Sequence, residues 1–322
     1  MKRALVTGIT GQDASYLCEF LNEKGYKIYG LIRGQGNPKK EAFLNNYPYV
    51  ELIDGDITDS SSLVRALTIS KPDEIYNLAA ISFVAYSFLA PDLTAEVDGV
   101  GVIKLLEATR AVGIDRSVRV YQASTSELYG KVRETPQTEL TPFHPRSPYG
   151  SAKALAHYTA VNYRESYGMH ISCGILFNHE SPRRGYEFVT RKISQAVARI
   201  KLGKQDFIEL GNIDSKRDWG FSGDYVSGMW MMLQQDVADD YVFATGKTHT
   251  VRDLLRIAFE HVGISNWEDY IRIDDIHKRP ADVDILVGDA TKAEKVLGWK
   301  PKVTFRELIE MMVDNDIELE SK

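Results

Sequence analysis

Apolar residues in this chain come in short runs separated by amphipathic stretches. Ala4-Leu5-Val6-Thr7 is the first run, and after a glycine-containing turn Tyr16, Leu17, Phe20 and Leu21 fall at helical spacing. Further runs, each of strand length, are Lys27 to Ile32, Val50 to Ile53, Ile75 to Leu78, Val118 to Tyr121 and His170 to Phe177. Helical patterns run from Leu93 to Val112 and from Tyr149 to about Tyr167. Strand and helix thus alternate five times before residue 155, which predicts an α/β fold with a doubly wound parallel sheet. Gly34 to Tyr47 reads as a polar loop.

After Phe177 the character changes. Residues 178 to 185 are polar and conformationally constrained, and are expected in neither strand nor helix. A helix is predicted from Val189 to about Leu202, followed by a short apolar run, Phe207 to Leu210. Thr250 with Asp253, and Thr304 with Glu307, have the spacing of capping boxes and should open two more helices. This half is expected to form a smaller lobe, with segments returning to the first.

With 322 residues, 43% hydrophobic and 26% charged, the chain has the composition of a globular protein of one large domain or two ordinary ones. A net charge of −6 argues against a general nucleic-acid binder. Cys18 and Cys173 are the only cysteines, which leaves no disulfide framework and no metal-ligand spacing. No apolar run approaches the ~18 residues of a membrane span. Met1-Lys2-Arg3 runs straight into the first strand, so no leader is expected and a reducing, cytoplasmic setting is the simplest inference.

The first strand ends in Gly8-x-x-Gly11-x-x-Ala14 and a helix follows. In that arrangement backbone N–H groups and a helix N-terminus face an anion, as in dinucleotide-binding turns. The second strand ends at Arg33. An NAD site usually places an acidic residue there for the ribose 2′-hydroxyl, whereas a basic one suits a 2′-phosphate, so NADP is the expected cofactor. Asp56 and Ile57 follow the third strand, where an adenine would be bounded by one polar and one apolar side chain. Residues 1–177 are therefore read as an NADP-binding, Rossmann-like domain and 178–322 as mainly a substrate-binding lobe.

The Val118 strand ends in Ser124, Thr125, Ser126 and Glu127. Some twenty residues on, Pro148 suits a helix's first turn, and Tyr149 and Lys153 stand four apart on one face of that helix. A free tyrosine hydroxyl titrates near pH ~10, and an ammonium one turn away favours its phenolate. Alone, a Tyr-x-x-x-Lys spacing is as readily a surface stripe. With the hydroxyl-rich strand end and the glycine turn it resembles the extended short-chain dehydrogenase/reductases. The resemblance implies that Thr125 binds a substrate oxygen, Tyr149 takes its proton, and Lys153 tunes Tyr149 and holds the nicotinamide ribose. A simple reductase has no need of Glu127. Beside an oxidised carbon it could remove the neighbouring α-proton, unless it is merely a structural carboxylate. An extended chain at 125–127 would put both side chains on one side.

Gly8-Ile-Thr-Gly-Gln-Asp13, Gln122-Ala-Ser-Thr-Ser-Glu-Leu-Tyr-Gly130, Arg146-Ser-Pro-Tyr149, Phe177-Asn-His-Glu-Ser-Pro-Arg-Arg-Gly185 and Lys216-Arg-Asp-Trp-Gly220 are similar to the GDP-mannose 4,6-dehydratase family over nearly the whole chain. That resemblance implies catalysis by Thr125, Glu127, Tyr149 and Lys153, with Glu127 or Ser126 as the acid for the leaving water. It implies NADP contacts from Gly8, Gly11, Gln12, Asp13, Arg33, Asp56, Ile57, Tyr149, Lys153, His179 and Arg184. GDP-mannose would be held by Ser82, Asn178, Val189, Lys192, Arg217 and Arg279, and the product would lead towards GDP-6-deoxyhexoses. Where the family usually has a second arginine after the position of Arg33, this chain has Gly34-Gln35. It has Ile81-Ser82-Phe83 in place of Gln-Ser-His, and Asp282 in place of Glu. A homodimer is the expected minimum, with a tetramer open. The alternatives are a sugar-nucleotide epimerase or reductase of the same fold, which would share Thr125, Tyr149 and Lys153 without needing Glu127, and a catalytically silent NADP-binding protein.

Overall fold

The computed structural model describes residues 1–34, 36–274, 283 and 285–322. The first half alternates β1 (Arg3–Thr7), α1 (Gln12–Glu23), β2 (Lys27–Ile32), α2 (Lys39–Asn46), β3 (Val50–Asp54), α3 (Ser60–Ser70) and β4 (Glu74–Asn77). Short helices α4 (Val84–Ser87) and α5 (Pro91–Ala95), a π turn at Glu96–Val100 and α6 (Gly101–Ala111) lead to β5 (Arg119–Thr125). A 3₁₀ turn at Ser126–Leu128, α7 (Pro148–Tyr167) and β6 (His170–Leu176) follow. The second half carries β7 (Asn178–Glu180), α8 (Val189–Lys201), β8 (Ile208–Leu210), β9 (Lys216–Arg217), β10 (Trp219–Phe221) and α9 (Ser222–Met232). Then come β11 (Tyr241–Phe243), β12 (His249–Thr250), α10 (Val251–His261), β13 (Ile271–Ile273) and α11 (Phe305–Glu320).

Seven strands form one parallel sheet in the order β11-β6-β5-β4-β1-β2-β3. This is the doubly wound arrangement read from the sequence. Its order reverses between β1 and β4, which opens a crevice at the C-terminal ends of those strands. The period-two alternation of a strand shows directly in β1. Ala4 and Val6 join Leu17, Cys18 and Leu21 of α1 and Met229 of α9 on one face, while Leu5 joins Leu67 of α3 and Leu105 of α6 on the other. Each fully buried leucine of this kind contributes about 1.5–3 kcal/mol.

The second half supplies both a lobe and a piece of the sheet. In the lobe α8 packs on α10 and α11 around Ile193, Val197, Leu254, Ala258 and Val313. A buried ion pair from Arg191 to Asp316, 2.6 Å long, ties α8 to α11. β11 pairs with β6, and α9 packs on α1. Trp299 is fully buried edge-on to Tyr225 and Phe243, and its Nε1 donates to the Asp224 carbonyl at 2.8 Å. Both capping boxes form, with Thr250 and Asp253, and Thr304 and Glu307, bonded reciprocally.

Two local expectations fail. Residues 34–47 contain the helix α2, held by Phe43 and Tyr47, whose rings lie 4.7 Å apart against the core. Two apolar anchors are too sparse a pattern to announce a helix. Asn178–Glu180 forms a strand, β7, paired in parallel with β10. Its polar side chains gave no strand signal; the ladder comes from a partner some forty residues away.

Candidate active site

The C-terminal ends of the central strands border a cleft of about 530 Å³, and Thr125, Glu127, Tyr149 and Lys153 all line it. A volume of that size is typical of small-molecule sites. β5 ends at Thr125, whose hydroxyl accepts the Glu127 backbone N–H at 3.2 Å and caps the 3₁₀ turn. The chain does not stay extended there, and the turn rather than strand alternation brings Glu127 to the cleft. On the facing element, Ser147 caps α7 by accepting the Gly150 N–H at 3.0 Å, and Pro148 occupies the first turn. Tyr149 is thereby fixed at the helix mouth. Glycine at 150 is what lets the two elements close, since a Cβ there would lie 2.9 Å from the Glu127 carbonyl oxygen. One turn further, the Lys153 ammonium donates to the Ala123 carbonyl at 2.9 Å and stands 6.0 Å from the centre of the Tyr149 ring.

The electrostatics differ from the simple reading of Tyr149 and Lys153. Burial raises the Tyr149 hydroxyl well above its ordinary range, and the charges of Asp98 and Glu127 raise it further. The hydrogen bond with Thr125 and the charge of Arg184 oppose this. Lys153 is the cation that α7 places one turn from this phenol. Its own ammonium is disfavoured by burial, with the charge of Asp98 opposing that loss, and its bonded partner is a carbonyl rather than the phenol.

Gly8, Gly11, Gln12, Asp13, His179 and Arg184 line the same cleft. Gly8 has φ +65°, and a Cβ there would lie 2.8 Å from the Ala79 nitrogen, so the turn admits only glycine. Gly11 caps α1 without a side-chain bond, which leaves the helix N-terminal N–H groups to an anion. This cradle fits a dinucleotide pyrophosphate. Gln12 and Asp13 knit α1 to the second half. Gln12 accepts from Ser181 at 2.7 Å, and Asp13 accepts from His179 Nε2 and from Ser222, each at 2.8 Å. Burial opposes the Asp13 charge, yet His179 holds that carboxyl far below the usual range. His179 is held partly by stacking on Tyr225, with ring centres 4.9 Å apart. Arg184 pairs with Glu180 at 3.1 Å and lies 3.5 Å from the centre of the Phe188 ring.

Arg33, Asp56 and Ile57 are not brought into this cleft. Arg33 is exposed just beyond β2. The Asp56 carboxylate closes a local turn on the Thr58 N–H and hydroxyl, at 2.9 and 2.8 Å. The Ile57 side chain is buried in the core against Gly101 rather than turned outward.

Of the residues expected to hold a nucleotide sugar, Ser82, Asn178, Val189, Lys192 and Arg217 line the cleft. Lys192 donates to the Glu209 carbonyl at 2.6 Å, and Arg217 donates to the Val283 carbonyl at 2.9 Å. Arg279, like Gln35 and Asp282, lies outside the described residues. The sequence reading missed Asp98 and the pair Ser124–His157, 2.9 Å apart beneath the strand end. Asp98 had a signal: it is a carboxylate on the same helical stripe as Val102 and Leu105. Among the described residues no cluster of His, Cys, Asp and Glu is arranged for a metal, and no helix is long and apolar enough to cross a membrane.

A doubly wound sheet with a glycine turn at β1, and a Tyr-x-x-x-Lys on the helix facing Thr125, defines an extended short-chain dehydrogenase/reductase. A family model described as GDP-mannose 4,6 dehydratase matches residues 5–312. The chain therefore belongs to the GDP-mannose 4,6-dehydratase family, whose members are lyases of the hydro-lyase type. It is 55% identical over 330 residues to GDP-mannose 4,6 dehydratase 1 of Arabidopsis thaliana, covering 99% of this chain and 90% of the relative. It is 51% identical over 345 residues to the GDP-mannose 4,6 dehydratase of Drosophila melanogaster, covering 100% and 87%. Among solved structures, the dTDP-glucose 4,6-dehydratase of Streptomyces venezuelae, with NAD and TYD bound, superposes with a TM-score of 0.87 at 26% identity, over 99% of this chain and 98% of that one.

Proposed function

We propose that this site converts GDP-D-mannose to GDP-4-dehydro-6-deoxy-D-mannose and water, with NADP restored in every turn. The observation that carries the reading is that Glu127 lines one cleft with Thr125, Tyr149 and Lys153. Bound NADP supplies the hydride acceptor at C4, a positively charged ring while oxidised, and the hydride returned at C6. Thr125 and Tyr149 bind the sugar O4, and Tyr149 takes its proton. Lys153 holds positive charge beside that phenol. Once C4 is a ketone the C5 proton is acidic, and Glu127 removes it as the C6 hydroxyl leaves as water, with Glu127 or Ser126 as the acid. An epimerase or reductase has no use for the carboxylate. Incubation with GDP-mannose, UDP-glucose and dTDP-glucose, without added cofactor, tests the assignment. GDP-mannose alone should yield a 4-keto-6-deoxy product; conversion of UDP-glucose to its C4 epimer would contradict it.

Gly8, Gly11 and the start of α1 would hold the cofactor pyrophosphate, and Lys192 and Arg217 the substrate diphosphate, where forked or multiple N–H donors match phosphate oxygens. Arg33, exposed at the end of β2, would meet the 2′-phosphate. Arg33→Asp should lower the preference for NADP over NAD by at least ~10-fold, a difference of about 1.4 kcal/mol. Competitive binding of the two cofactors measures it, and an unchanged ratio would remove Arg33 from the assignment.

The protein is further read as a cytoplasmic homodimer. Leu155 and Tyr158, 44% and 57% exposed and one turn apart, lie on α7, and Leu93, 45% exposed, lies on α5, which packs on α7. Exposed apolar side chains on two helices packed together suit a second copy of the chain. Light scattering at micromolar concentration should give at least twice the mass of one chain; a stable monomer would contradict this.

A further inference from the structure

Two helices that border the cleft, α4 and α8, both start on a phenylalanine. Phe83 and Phe188 occupy the N-cap positions, with extended backbone and no side-chain bond to the helix N–H groups. Serine, threonine, aspartate or asparagine stabilises a helix from that position, and a phenylalanine cannot. Both residues line the cleft instead, and their rings meet edge to face, with centres 5.7 Å apart and planes at 72°. Phe83 lies in the loop after β4, in the sheet half, and Phe188 opens α8 of the lobe, so the contact joins one wall of the cleft to the other. Each is half-buried, and Ser82, Glu187 and Val189 beside them are exposed, which puts the ring pair at the rim. A local rule broken at both ends of one contact points to a functional role. The elements behind the pair fix its place along the cleft. β4 pairs with β5, Asn77 opposite Gln122, so the loop after β4 runs beside the strand end that carries Thr125. α4 packs on α7, whose first turn holds Tyr149. The Phe188 ring is braced by Arg184, whose guanidinium lies 3.5 Å from the ring centre and is paired with Glu180 at 3.1 Å.

We propose that Phe83 and Phe188 form a gate over the hexose: the ring pair parts to admit the sugar and, closed again, keeps the 4-keto intermediate in the cleft until its hydride returns. This rests on the function given above. Between oxidation and hydride return, the hydride taken from C4 is on the cofactor and the O4 proton is on Tyr149. A ketone that escapes at that point leaves both behind, and the site cannot start again until the reduced cofactor is exchanged for oxidised. Retention of the hexose is therefore a requirement of the cycle, separate from its bond-making steps. One edge-to-face pair is a modest contact, weak enough to open in every turnover and sufficient, when closed, to slow escape.

Phe83→Ala removes one ring and leaves Phe188 on Arg184. Escape is measured without turnover, in a Tyr149→Phe background, by stopped-flow displacement of GDP-mannose and, separately, of GDP. Dissociation of GDP-mannose should quicken by roughly 2- to 10-fold, the worth of one aromatic pair, while GDP, which has no hexose, leaves at its original rate. With Tyr149 intact, the reduced cofactor left on the protein per product formed should rise with it, and Phe83→Tyr, which keeps the ring, should match the wild type in both readings. Phe83→Ala combined with Phe188→Ala should release GDP-mannose no faster than the quicker single variant, because both act through one contact. Equal acceleration of GDP and GDP-mannose, an unchanged GDP-mannose rate, or additive effects of the two substitutions would overturn the gate. If Phe83→Ala melts early, Phe83→Leu, which keeps apolar bulk without the ring, is read by the same criteria. Failure here is distinguishable from failure of the functional reading: a wild-type protein that makes no 4-keto-6-deoxy product from GDP-mannose would sink the latter, whatever the release rates of the Phe83 variants.

Discussion

Glu127→Gln should abolish most dehydration while leaving the first oxidation possible. The amide keeps the size and the backbone bond to Thr125, which is made by the Glu127 N–H and not by its side chain. What is lost is the base for the C5 proton. General bases contribute roughly 10²–10⁴-fold, and a fall in turnover of that size is expected. Two signatures separate this from unfolding. Exchange of the C5 proton with solvent should fall by the same factor, and reduced nicotinamide should accumulate on mixing with GDP-mannose, because the ketone forms but goes no further. A Glu127→Gln protein that dehydrates at the wild-type rate would leave the epimerase or reductase reading in place.

Tyr149→Phe should fail one step earlier. The ring would still fill its buried place at the start of α7, and the cap from Ser147 to Gly150 would be untouched, so little stability should be lost. Without the hydroxyl no group at that position accepts the O4 proton, and hydride leaves C4 slowly. A loss of roughly 10²–10⁴-fold in C4 oxidation is expected, with no build-up of reduced nicotinamide. The contrast between the two variants, one stalled before oxidation and one after, is more diagnostic than either loss alone. Rapid reduction of cofactor by Tyr149→Phe would remove Tyr149 from the base role.

Much of this architecture was legible because its signals are local and periodic. The alternation of apolar runs with amphipathic stretches announced six strands of the sheet, and Thr250, Thr304 and Pro148 marked helix starts by side-chain chemistry that acts within one turn. What stayed hidden depends on distant partners. β7 is a strand only because β10 lies beside it, and α2 hangs on two aromatic residues. Glu127 and Thr125 share the cleft through a 3₁₀ turn capped by the threonine, where an extended strand end was expected. The Tyr149–Lys153 spacing located the reacting pair but not its electrostatics. Burial and Asp98, fifty residues earlier, set those, and no spacing rule within α7 records them. Ile57 packs on Gly101 in the core, a placement that its position after β3 did not announce.

The cleft also explains why so many of its polar residues bond to one another. Gln12, Asp13, His179 and Ser181 close a network between α1 and β7, and Glu180 holds both Arg184 and Thr190, at 3.1 and 2.5 Å. The glycine turn after β1 is thus locked to the segment that follows β6. Binding groups placed on rigid, cross-braced elements need little reorganisation during the reaction.

In the proposed cycle one site oxidises C4, removes water across C5 and C6, and returns the same hydride. GDP-mannose carrying deuterium at C4 tests it most directly. The product's label should appear at C6, with a solvent-derived proton at C5. Deuterium still at C4, or lost to solvent, would contradict the account.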